Sequence, residues 1–258
     1  MFSHISMITY GRTIKGNEWA CKNVCGLNRL HFIHSGSVLT TTGGIHMINP
    51  DKLYIYPQNL EFNLLRDENT CVDHSFVDFI TIPPIKMDDL MEIDPKNHPL
   101  IESALKILID LVDTYPMYPL GERNDYYDLI KSYLNNLLFL INNEIGLSII
   151  SDLAVITALD YIHNNFSRDI SIDEIASKLN YHKNFFIKKF KKIMSVTPYQ
   201  YIINYRLNMA LDLIKGGTYN IKEIAGMVGY CDASSFSRAF KKIYGIYPAE
   251  ASEYMRKL

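Results

Sequence analysis

The chain has 258 residues, enough for two domains and a sizeable core, with 48% hydrophobic and 21% charged residues, the balance of a globular protein in water. No apolar run approaches the ~20 residues of a membrane span and no charged start precedes an apolar stretch, so neither a membrane segment nor a secretory leader is expected and the cytoplasm is the expected location. The formal net charge of -2 hides an asymmetry: from Val155 onward 15 Lys+Arg face 9 Asp+Glu (+6), whereas the first 154 residues hold 11 against 19 (-8), so a polyanion suits only the C-terminal half.

In chain order, Cys21 and Cys25 come first and could form a redox pair. With Cys71 and Cys231 they make no paired framework, and free buried thiols are expected. From Leu27 to Pro83, short β-branched and aromatic runs (LHFIH, VLTTT, IHMI, LYIYP, EFNLL, FVDFITIP) are separated by Gly36, Gly43-Gly44, Asn49-Pro50-Asp51 and a polar stretch near Arg66 to Asn69. Six short strands at this spacing predict a small barrel or jelly roll. His31, Phe62 and Phe79 are candidate ligand contacts in its cavity, and strand register decides which of them point inward. His31, His34, His46 and His74 also fall here, but His31 and His34 are three apart, on opposite faces of a strand, and no His-x-His occurs. With no nucleophile motif and no phosphate-binding glycine loop, neither catalytic residues nor a cofactor nor a metal is expected.

Two helices follow, Pro99 to Tyr115 and Asp125 to Glu144, around a Pro- and Gly-rich loop, YPMYPLGERN. Leu105, Leu108, Ile109 and Val112 form the apolar stripe of the first. Leu129, Tyr133, Leu137, Leu140 and Ile141 form that of the second. Asn142 to Asp152 is the expected linker.

A helix from Leu153 through Phe166 opens the C-terminal half, in which one module occurs twice. Ile172, Ala176, Leu179 and Tyr181 recur as Ile221, Ala225, Val228 and Tyr230. After one inserted residue, Phe186, Phe190, Lys191, Lys192, Ile193 and Pro198 recur as Phe236, Phe240, Lys241, Lys242, Ile243 and Pro248. Each copy has the logic of a helix-turn-helix. Ser171 with Glu174, and Asn220 with Glu223, are capping signals, and Asn180 and Gly229 supply a turn residue that tolerates positive φ. Phe186, Phe190 and Ile193 form the buried stripe of the second helix. Its outward face carries Asn184, Ile187, Lys188 and Lys191, matched by Ser234, Ser237, Arg238 and Lys241, short polar and basic groups suited to a major groove. Between the copies, Pro198 to Lys215 reads as a helix closed by Gly216-Gly217, long enough to hold two units over successive grooves. Arg206 within it is open between a phosphate and a carboxylate partner.

At these residues, above all IAGMVGYCDASSFSRAFKKIYGIYP, the chain resembles the AraC/XylS family of bacterial transcription regulators. The resemblance covers Ala154 to Lys257; Gly36, the run ending at Pro57 and DHSFVDF are more diffusely similar to that family's cupin-like sensor domain. In the first copy His182 stands where a small capping residue is usual, and Ile187 is apolar. The resemblance implies an α+β chain: a cupin-like β-barrel (1–95), a helical pair for dimerisation with its linker (96–150), and an all-α domain (151–258) whose two helix-turn-helix units are joined by a linker helix. Base readout is assigned to Asn184, Ile187 and Lys188 in one groove and to Ser234, Ser237 and Arg238 in the next, with Ser235 a further DNA-binding residue. Lys191, Lys192, Lys241 and Lys242 attract phosphates. The expected partners are double-stranded DNA, a small-molecule effector, a second copy of the chain and RNA polymerase. A barrel that only dimerises, and a cupin enzyme with a helical appendage, are the alternatives.

Overall fold

The computed structural model describes residues 2, 4–15, 21–23, 27–41, 44–58, 62–66, 71–116 and 126–256. Cys25, Gly43, positions 67–69, most of the loop between the two expected helices, and Lys257 lie outside the described residues. The chain divides into two compact units, with the break between Ile149 and Ile150.

The first unit is built from strands β1 (His4–Lys15), β2 (Cys21–Asn23), β3 (Asn28–Ser35), β4 (Val38–Thr41), β5 (Ile45–Ile48), β6 (Leu53–Tyr56), β7 (Phe62–Arg66), β8 (Val72–Ile82) and β9 (Met91–Ile93). They form a five-stranded sheet, β1-β8-β3-β6-β9, and a four-stranded sheet, β2-β7-β4-β5, with antiparallel pairing throughout. Each of the six expected runs holds a strand among its described residues, and β1, β2 and β9 are additional. Side chains alternate across the five-stranded sheet. Leu30, Leu53, Ile55, Val77 and Phe79 point to the core shared with helices α1 (Pro99–Thr114) and α2 (Tyr127–Glu144). Ile33, Tyr54, Tyr56 and Val72 point instead to Val38, Ile48 and Phe62 of the four-stranded sheet. A sheet covered on both faces needs apolar residues at both parities, which is why LYIY is buried at all four positions.

Several expectations change at this level. Phe79 lies on the helix side of the sheet, whereas His31 and Phe62 lie between the sheets, so the three do not share a cavity. The buried stripe of α2 is Ile130, Leu134, Leu137, Leu138 and Ile141; Leu129 is 42% exposed. Cys71 and Cys231 are exposed rather than buried. The expected linker is not a free tether over its first part. Gly146 turns the chain at φ 94, Lys86 N donates to Ser148 O at 2.9 Å, and Ile149 bridges Ile85.

Polar groups tie α1 and α2 to the sheet. Arg12 pairs with Asp73 and Asp113 at 2.6 and 3.0 Å, and Ser75 donates to Asp113 at 2.5 Å. His34 Nε2 lies 2.7 Å from Ser75 Oγ, on the face opposite His31. The Tyr127 hydroxyl donates to Met7 O at 2.9 Å. Between the sheets, Arg29 and Asp78 form an ion pair at 2.5 Å, and the guanidinium lies 5.8 Å from the Phe62 ring centre. A cavity of about 440 Å³ opens beside α1, with Phe32, Leu105 and Ile109 among its apolar lining and Arg12, His34 and Asp113 among its polar lining. Among the described residues no group of three or more His, Cys, Asp or Glu is placed to hold a metal. No described helix is long and apolar enough to cross a membrane.

The second unit holds seven described helices: α3 (Leu153–Asn165), α4 (Ile172–Lys178), α5 (Lys183–Met194), α6 (Pro198–Gly216), α7 (Ile221–Met227), α8 (Ala233–Tyr244) and α9 (Pro248–Arg256). Phe186 and Phe190 of α5, with Phe190 reaching the Tyr201 ring at 5.8 Å, make one core. Phe236 and Phe240 of α8 pack with Leu207, Ala210 and Ile214 of α6 and Ile224, Ala225 and Val228 in another. α6 contributes to both.

Candidate nucleic-acid interface

The two helix-turn-helix units share one turn, down to its hydrogen bonds. After α4, Asn180 N donates to Ser177 O and Tyr181 N to Ala176 O at 3.0 and 2.9 Å. After α7, Gly229 N donates to Gly226 O and Tyr230 N to Ala225 O at 3.1 and 2.9 Å. This is the Schellman closure, and it requires a left-handed residue, here Asn180 at φ 55 and Gly229 at φ 84. At Gly229 there is a second constraint, since an added Cβ would meet Phe166 O at 2.7 Å. Ala176 and Ala225 are 1% exposed, small enough for the next helix to cross over them.

The caps differ between copies. Asn220 and Glu223 complete a capping box. Ser171 accepts from Glu174 N, but the Glu174 carboxylate turns away to Arg168 and Tyr161, whose hydrogen bonds pull its pKa down to about 2. α8 is capped by Asp232, which accepts from Ser235 N at 2.7 Å; these bonds lower the Asp232 pKa. His182 at the same place before α5 makes no side-chain cap. α5 ends on Ser195 in the left-handed region (φ 63), where α8 has Gly245 (φ 80).

Phe186, Phe190 and Met194 face inward on α5, with Ile193 only half-buried, and Phe236 and Phe240 face inward on α8. Asn184, Lys188, Lys191 and Lys192 are exposed and Ile187 is half-buried; Ser234, Arg238, Lys241 and Lys242 are exposed and Ser235 and Ser237 half-buried. Lys183 and Lys189 are neutralised by Asp173 and Asp152 at 2.6 and 2.5 Å. Lys188, Lys191, Lys192, Arg238, Lys241 and Lys242 make no ion pair among the described residues, so their charge is available to an anion. Lys241 also lies 3.9 Å from the Tyr247 ring centre.

Arg206 is held by backbone carbonyls rather than by a carboxylate. Its Nε donates to Phe166 O at 2.8 Å and a terminal nitrogen donates to Arg168 O at 2.7 Å, so the guanidinium closes the C-terminal end of α3 against α6. Sequence reasoning missed the chain Asp232–Ser235–Arg238. Asp232 holds the Ser235 hydroxyl at 2.8 Å, and Arg238 donates to that same oxygen at 3.3 Å. Its signal was present as Asp-x-x-Ser at a helix start.

Helix α6 has 19 residues and at 1.5 Å each runs ~28 Å between the units. It is fixed at both ends, by a Thr197–Gln200 capping box and by Gly217 at φ 65.

Comparison with known proteins gives the same picture. Residues 175–254 match a family model described as a helix-turn-helix domain. The Photobacterium leiognathi protein described as "Probable transcriptional regulator LumQ" is 29% identical over 199 residues, 73% of this chain and 78% of that one. The Msm operon regulatory protein of Streptococcus mutans is 23% identical over 176 residues, of which this chain spans about half the length (52%). Among solved structures, ToxT from Vibrio cholerae superposes with a TM-score of 0.65 at 16% identity, covering 97% of this chain and 95% of that one, a likeness of fold. With two helix-turn-helix units joined by one linker helix, the chain carries a helix-turn-helix domain and is similar to proteins described as transcription regulators, in line with its resemblance to the AraC/XylS family.

Proposed function

We propose that the two units read successive major grooves on one face of a promoter. Asn184, Ile187 and Lys188 would enter one groove and Ser234, Ser235, Ser237 and Arg238 the next, with Lys191, Lys192, Lys241 and Lys242 on phosphates. Arg206 is withdrawn from this set. The observation that carries the reading is the pair of outward helix faces on α5 and α8, where Lys188, Lys191, Lys192, Arg238, Lys241 and Lys242 make no ion pair among the described residues while the inward faces are buried. Selection from a random duplex pool by the full chain should enrich one bipartite sequence; recovery of no preferred sequence contradicts it.

Small-molecule control is the second part of the proposal. It is supported by the cavity beside α1 and by a ToxT structure that holds an unsaturated fatty acid. His31 and Phe62 are packed against His74 and Tyr56, with ring centres 4.5 and 4.0 Å apart. The α1 cavity, with an apolar floor and a charged edge, therefore suits an amphipathic effector better. Calorimetric titration with oleate should show one saturable site that Phe32→Trp abolishes; an unchanged isotherm in the variant would exclude this cavity. A second copy of the chain and RNA polymerase complete the proposed partners. Exposed Leu129 and Phe139 on α2 support self-association, which sedimentation of the full chain decides. Regulation rather than catalysis is the reading that relatives described as regulators favour.

A further inference from the structure

The two outward helix faces occupy matching positions but differ in chemistry. On α5, Asn184, Ile187, Lys188 and Lys191 stand at i, i+3, i+4 and i+7, opposite the buried Phe186 and Phe190. The matching set on α8 is Ser234, Ser237, Arg238 and Lys241. Ile187 and Ser237 are both half-buried. Because a serine serves in one copy, packing at this position does not require an apolar side chain, and the isoleucine calls for another explanation. Half-exposed on a face of lysines and an asparagine, its branched chain gains only when something apolar covers it. In a major groove the base edges present hydrogen-bond donors and acceptors, with one apolar exception, the C5 methyl of thymine. Asn184, one turn earlier on the same face, carries the amide geometry that matches N6 and N7 of adenine. Arg238, in the other copy, has the fork that matches O6 and N7 of guanine.

We infer that the first unit is specific for A·T pairs, with Ile187 seated against a thymine methyl and Asn184 on a neighbouring adenine, while the second unit reads guanine through Arg238. This rests on the assignment of α5 and α8 to major grooves made above. It goes further in predicting that one half of the operator is recognised by an apolar contact.

Uracil in place of single thymines tests it, since dU lacks only the C5 methyl and keeps every hydrogen-bonding edge. The full chain is titrated with a duplex recovered by selection, and with the same duplex bearing dU at each thymine in turn. The half-site of the second unit is identified by the loss of guanine preference in Arg238→Ala. In the other half, one dU should weaken binding about fourfold, the effect of removing one methyl from an apolar contact. Thymines in the Arg238 half should be insensitive. Ile187→Ala should bind the thymine and uracil duplexes equally. Uniform indifference of the unchanged protein to dU overturns the inference even if the variant fails to fold, as does a uracil penalty that survives in Ile187→Ala. Recovery of no preferred sequence would overturn the groove assignment itself, and this inference with it.

Discussion

Arg238 leaves the first turns of α8 with its guanidinium 3.3 Å from the Ser235 hydroxyl, which Asp232 holds in turn. A cation steadied in this way presents its fork in one orientation, as bidentate readout of guanine requires. Arg238→Ala is expected to cost about 1–3 kcal/mol at one base step, whereas Lys241→Ala weakens all sequences alike and lowers the salt slope by about one. Titrations on selected and random duplexes at several salt concentrations check this, and equal losses on both duplexes from both changes would reverse the roles. In the two-sheet unit His31 is fully buried beside His74. Burial, then the charges of His74 and Arg29, hold its pKa well below 6.5. A base with a depressed folded pKa leaves stability intact above 6.5. As pH falls below that value, stability is lost because the unfolded chain takes up a proton that the native state excludes. Denaturation midpoints should therefore fall from pH 7 to pH 5, and His31→Gln should flatten the slope; an unchanged slope would assign the effect elsewhere.

Helices in this chain are set largely by their ends, and the ends were mostly legible. The Schellman turns at Asn180 and Gly229 follow from residues that tolerate positive φ, and Asn220 with Glu223 closes as the pattern says. Ser171 fails to complete its box because Glu174 has a stronger partner in Arg168, a contact six residues away that local spacing does not reveal. The unequal N-caps give a prediction. Asp232→Ala should destabilise the second helix-turn-helix, while His182→Ala should change little because no cap hydrogen bond is lost. Thermal melts of both variants settle it; equal losses would mean that the caps do not differ in energy. Strands were less legible than helices. β1 escaped because its register shifts between Met7 and Thr9, so Met7, Ile8, Thr9 and Tyr10 are all buried and no alternation survives. Which way Phe79 points was not legible because parity relative to β3 follows from strand register, a tertiary fact.

At the scale of the molecule, the acidic half and the basic half coincide with different architectures, a two-sheet unit and a bundle of seven described helices. Within the helical unit α6 joins the two small motifs, and its ~28 Å length and capped ends set the spacing between them. Such spacing was readable from the glycine stop at Gly217, but the bracing of α3 by Arg206 was not, since its partners are backbone carbonyls 38 and 40 residues away. Simultaneous reading of two grooves is the central claim, and phosphate ethylation interference on a selected duplex tests it most directly. The full chain should show two clusters of phosphates whose ethylation blocks binding, on one face of the duplex and about 10 base pairs apart. A single cluster, or binding indifferent to ethylation at every phosphate, would contradict it.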